Sequence, residues 1–100
     1  MPFDIEFTDD AADHVRGYKK FEQKIILEAI ESQLTDEPTA KTRNRKPLRK
    51  NALSDWELRI QKFRVFYDVI PNDDGGIVKI KAVGHKEHNV LFIGDAEVEL

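Results

Sequence analysis

The sequence predicts an α+β fold: a small antiparallel β-sheet in the order β-α-α-β-β-β, with two N-terminal helices packed on one face. Three observations carry this. Phe3, Ile5 and Phe7 alternate with Asp4 and Glu6, the period of a strand with one buried face. Apolar residues then recur at helical spacing from Phe21 to Leu34. Strict alternation returns at Asp55 and continues through two further strands to Val83.

The elements follow in order. Strand one covers residues 2–7. Thr8, followed by Asp9 and Asp10, starts a helix, because the hydroxyl caps free N–H groups and the carboxylates favour the positive end of the helix dipole. That helix is short and ends at about Gly17. A longer one runs from Tyr18 to Leu34, with Phe21, Ile25, Ile26, Ala29, Ile30 and Leu34 on its buried stripe. The segment TDEPTA, with Pro38, ends it. Residues 41–50, KTRNRKPLRK, hold six basic side chains and one apolar one, Leu48, and read as an exposed basic loop. Trp56, Leu58 and Ile60, then Phe63, Val65 and Tyr67, form a hairpin around Gln61 and Lys62, although that pair lacks Asn-Gly turn chemistry. The loop PNDDGG leads into a third strand over Ile77–Val83, and the tail from Leu91 supplies a short strand.

A chain of 100 residues, 40% hydrophobic and 35% charged, fits a single domain over residues 1–100. The absence of cysteine excludes disulfides, thiolate metal sites and cysteine nucleophiles. No apolar run is long enough to span a membrane, and MPFDIEFTDD lacks the basic start and apolar middle of a secretory signal, so the expected location is the cytoplasm. The net charge of -3 is unevenly spread. Residues 1–40 carry four basic and ten acidic side chains (-6), residues 41–66 nine and two (+7), and residues 67–100 three and seven (-4). A basic block inside an acidic protein points to an anionic partner met by one patch.

The two-residue turn pairs Ile60 with Phe63, Leu58 with Val65 and Trp56 with Tyr67, an apolar face for the long helix to cover. That placement makes Trp56 and Tyr67 core residues in preference to base-stacking ones. The other face sets Arg59 opposite Arg64, a repulsive pair that an anion would relieve, with Glu57 opposite Phe66. Pointing Val78, Ile80 and Ala82 inward sends Lys79 and Lys81 to the same arginine face. Arginines grip phosphate oxygens, and a carboxylate beside them suits proton abstraction from a ribose 2′-OH. Among the histidines, His14 reads as a surface residue. His85 and His88, flanking Lys86 at the end of the third strand, are candidate acids for a leaving 5′-oxygen. Two His and one Glu without a further clear ligand make a weak metal site, so no metal or cofactor is expected.

The run DWELRIQKFRVFYDVI, followed by IVKIKAVGHKEHN, resembles the RelE/ParE family of type II toxin-antitoxin toxins. The shared features are an LR, a short turn, an aromatic-Arg pair, an aliphatic stretch ending in Tyr, and a strand ending in V-G, a variable residue and a basic one. The resemblance implies a small antiparallel sheet flanked by helices and, in RelE-like members, metal-independent cleavage of messenger RNA in the ribosomal A site. It places the family arginine at Arg64 and the basic residue after V-G-x at Lys86. Asp55 and Glu57 stand where that branch has lysines, and Phe92 stands where it has a catalytic tyrosine. Branches with a glutamate base, an arginine and a histidine acid suggest Glu57, Arg64 and His88, with His85 the other candidate acid. The ParE-like branch shares the fold, lacks ribonuclease residues and acts by binding DNA gyrase.

The leading expectation is therefore a ribosome-dependent mRNA endonuclease toxin. Lys46, Arg49 and Lys50 would hold RNA backbone, while Arg64 with Arg59 or Lys86 would stabilise the scissile phosphate. Lys79 and Lys81 lie nearby. The expected partners are a cognate antitoxin, the ribosome with its messenger RNA, and operator DNA through the antitoxin complex. The alternatives are a gyrase-binding toxin and a toxin-fold DNA-binding module without catalytic activity.

Overall fold

The computed structural model describes residues 2–100. Its elements are β1 (Phe3–Phe7), α1 (Asp9–Arg16), α2 (Lys20–Leu34), β2 (Arg45–Pro47), β3 (Trp56–Ile60), β4 (Phe63–Asn72), β5 (Gly75–Glu87), β6 (Val90–Ile93) and β7 (Ala96–Val98). The sheet runs β2-β3-β4-β5-β6-β7, every neighbouring pair antiparallel. β1 joins it off this path, parallel to β5.

Local chemistry starts each helix. The Thr8 hydroxyl accepts a hydrogen bond from the Ala11 N–H at 3.1 Å, with Asp9 and Asp10 in the first turn of α1. At α2 the Glu22 carboxylate reaches back to accept from the Lys19 N–H. Ile26, Ile30 and Leu34 of α2 are buried, together with Ala11 and Val15 of α1, against Leu58, Ile60, Phe63, Val65, Tyr67, Val78, Ile80 and Val83. Phe21, in the first turn of α2, shares their helical spacing but is 63% exposed.

The hairpin has the expected register throughout, including Arg59 opposite Arg64. Gln61 takes the strained turn position with a φ of +54°. Period-2 reading fails at one point. The pairing of β4 with β5 shifts between Phe66 and Tyr67, which face Ala82 and Ile80, so Lys81 is an extra residue on β5. Beyond this bulge the faces swap: Val83, not Ala82, enters the helix-side core. Ala82 packs instead with Phe66 and Leu91 in a second cluster on the other face of the sheet.

That second face is partly covered. Leu48, Leu53, Ile93 and Val98 pack on the Phe66–Ala82–Leu91 cluster, bringing the basic segment and β7 over the sheet. Residues 41–50 are accordingly not all loop. Arg45–Pro47 pair with Trp56–Leu58, because the outer edge of β3 offers hydrogen bonds that need no burial of the basic side chains. β5 extends to Glu87, four residues past the predicted end, and the tail forms two strands.

Candidate functional site

The two ends of the sheet path, β2 and β7, line opposite sides of one groove of about 750 Å3. Lys46, Arg49, Lys50 and Lys86 supply its positive side, Glu97 and Glu99 an acidic rim, and Leu48, Leu91 and Val98 apolar floor. Glu57 also lines it. Asn51 shapes the basic wall: its side-chain N–H groups donate to the carbonyls of Arg49 (2.7 Å) and Ser54 (2.9 Å). Its oxygen accepts from the N–H groups of Leu53 and Ser54. An Asn-x-x-Ser stretch after a basic run is an Asx-turn signal that composition alone passes over.

Beneath the groove lies a buried ion pair. The side chains of Glu57 and Arg64 are each 9% exposed, with Nε of Arg64 3.8 Å from Oε1 of Glu57. Lys46 approaches Oε2 of the same carboxylate at 3.4 Å. Arg64 Nη1 donates to the carbonyls of Gln61 (2.8 Å) and Phe63 (2.9 Å), bracing the hairpin turn. Burial pushes the Arg64 guanidinium below its ordinary pKa; Glu57 opposes the shift and Arg59 across the strand adds to it.

A second cavity, of about 290 Å3, opens on the helix side of the sheet. His14, Tyr18, Glu22, Lys62, His85 and Asp95 line it. The Tyr18 hydroxyl and Nδ1 of His85 are 2.8 Å apart, and the His85 ring stacks on Phe92. Glu22 is held below the usual carboxylate range, first by the Lys19 N–H and then by Lys62, whose ammonium lies 3.4 Å away. His14 is not a free surface residue: its Nδ1 accepts from the Val83 N–H at 3.2 Å. Among the described residues no group of three or more His, Asp or Glu side chains is placed to hold a metal ion, and no helix is long and apolar enough to cross a membrane.

The family described as ParE toxin of the type II toxin-antitoxin system parDE matches residues 5–90. The chain belongs to this toxin family. A chain in the crystal structure of the RelBE2 toxin-antitoxin complex from Mycobacterium tuberculosis shares the fold, with a TM-score of 0.68. It is 23% identical over 86% of the present chain and 100% of that one. A search of curated proteins finds no match.

Within this toxin the structure divides the residues singled out from sequence. It brings Glu57, Lys86, Lys46, Arg49 and Lys50 to one groove, with Arg64 behind Glu57. Arg59 is exposed on the same face outside the groove lining. Lys79 and Lys81 sit further along that face, and Lys81 lies 3.7 Å from Asp68. His85 is on the opposite face, engaged by Tyr18, so it does not meet Glu57. His88 occupies the exposed β5–β6 turn, where it and Asn89 adopt φ of +51° and +66°. A turn residue at positive φ is placed by backbone geometry, and its ring lines neither cavity.

Proposed function

We propose that this toxin arrests growth by binding a macromolecular target through the β2–β7 groove, in the manner of ParE-like toxins that bind DNA gyrase. One observation carries the reading: the groups best suited to RNA cleavage are already engaged within the chain. A general base must reach its substrate, whereas the Glu57 side chain is 9% exposed and faces Lys46 and Arg64 at ion-pair distance. An arginine that grips phosphate must reach it, whereas the Arg64 side chain is 9% exposed and both of its Nη1 protons go to backbone carbonyls. Arg49, Lys50 and Lys86 around the groove are exposed and have no carboxylate partner among the described residues, and Lys46 is 62% exposed although it also touches Glu57. Its expected natural inhibitor is a cognate antitoxin whose acidic, apolar segment covers those cations and the Leu48–Leu91–Val98 floor.

The test uses purified gyrase and induction in cells. The chain lowers supercoiling, replacement of Lys46, Arg49, Lys50 and Lys86 by Gln abolishes the effect, and Glu57→Gln leaves it intact. New RNA 5′ ends at ribosomal A-site codons, lost in Glu57→Gln, would overturn this reading in favour of a ribosome-dependent mRNA endonuclease. That second reading has its own observation, since Glu57 and Lys86 line the same groove as the basic segment.

A further inference from the structure

One edge of β5 is shared by two strands that do not meet. β1 pairs with Gly76–Ile80 and β6 with Gly84–Glu87, which leaves residues 81–83 without a strand partner on that side. The start of α1 and one side chain from its last turn fill the gap. The Thr8 N–H donates to the Ile80 carbonyl at 3.0 Å and the Thr8 hydroxyl to the Lys81 carbonyl at 3.2 Å. His14 then accepts from the Val83 N–H through Nδ1, at 3.2 Å.

This last bond fixes a protonation state. An imidazole that accepts at Nδ1 carries its proton on Nε2, and a protonated imidazole donates at both nitrogens. Protonating His14 therefore sets two donors, Nδ1–H and the Val83 N–H, against each other. A backbone amide in a strand cannot turn round. The neighbouring His85 differs, because the Tyr18 hydroxyl facing its Nδ1 can rotate from donor to acceptor.

We propose that His14 is an acid-sensitive latch that ties the last turn of α1 to the Val83 amide in the β5 gap while its ring is neutral and lets that amide go when the ring is protonated. The groups sharing its cavity are Tyr18, Glu22, Lys62, His85 and Asp95, and Asp10 lies one turn earlier on α1. Glu22 and Lys62 face each other as an ion pair at 3.4 Å. The two opposed donors are what open the latch. The gap coincides with the bulge at Lys81 that turns Ala82 towards Phe66.

The experiment is amide hydrogen exchange on the full chain between about pH 7.5 and about pH 5.5, the range in which an ordinary imidazole titrates. The protection factor of the Val83 amide falls about tenfold as the ring protonates. In His14→Asn, whose amide oxygen accepts without titrating, the factor stays flat, whereas His85→Gln retains the fall. A flat wild-type profile overturns the latch, as does an equal fall in His14→Asn or a fall abolished by His85→Gln. Should His14→Asn fail to fold, the 15N titration of the His14 ring in the wild type decides. A midpoint shared with the Val83 profile supports the latch, and separate midpoints overturn it.

Discussion

Arg64 and Glu57 form a buried ion pair in which each charge depends on the other. Their types and spacing suit phosphate chemistry, but both side chains are buried and Arg64 closes the Gln61–Lys62 turn from behind. Removing one partner strands the other's charge in a dry site. Glu57→Ala is therefore expected to cost about 3 kcal/mol. Lys46 touches the same carboxylate with a side chain 62% exposed, so Lys46→Ala costs only about 0.5 kcal/mol. Urea unfolding of both variants checks the contrast; equal losses would mean that the carboxylate is solvated and free to act as a base.

Tyr18 gives a pH prediction at the same scale. Burial first, and then Glu22, pushes its phenol up to about 12. A raised folded pKa means that the fold favours the protonated phenol. Its contribution to stability is complete below the unfolded value of about 10 and is lost as pH rises towards about 12. Glu22 has the opposite sign: its folded pKa is depressed, so its contribution is present above the ordinary carboxylate range and fades as pH falls through the folded value. Thermal melts should therefore weaken at both extremes. Tyr18→Phe should flatten the alkaline limb, provided that phenolate absorbance shows Tyr18 ionising there in the wild type.

At the level of elements, the hairpin was readable to the residue because alternation and a two-residue turn leave one register that buries a single face. The bulge at Lys81 was not, since an inserted residue leaves the sequence alternating while the backbone changes face. β2 was unreadable for a different reason. It is held by the edge of β3 and not by apolar side chains, so periodicity carries no trace of it. The role of His14, accepting a backbone N–H, leaves no trace in the sequence because it depends on where β1 and β6 stop along β5. The turn itself is improvable. Gln61 holds a φ of +54°, which costs an L-residue about 1 kcal/mol and glycine almost nothing, while Arg64 bonds only its backbone carbonyl. Gln61→Gly should raise the melting midpoint by about 2 °C, after allowance for the looser unfolded chain. A fall would mean that the Gln61 side chain makes a contact worth more than the strain.

For the whole molecule, the decisive quantity is where charge lies, not its sum. A net charge of -3 argues against a nucleic-acid partner only if the charge is uniform, and it is not. The fold collects Lys46, Arg49, Lys50 and Lys86 on one groove and leaves Asp9, Asp10 and Asp13 on α1, packed on the helix side of the sheet. Replacing the four cations by Gln should change folding stability by no more than about 0.5 kcal/mol each, because each is exposed. Growth arrest should nevertheless disappear, whereas Asn in place of the three α1 aspartates should leave it intact. Salt then separates the target classes. Four cations gripping RNA release counterions with a log–log slope of about -3, and a protein target met by shape and apolar floor gives a shallower one. Binding to gyrase, titrated against salt, should show the shallow slope. A slope near -3 on RNA, with no gyrase binding, would assign the groove to a nucleic acid.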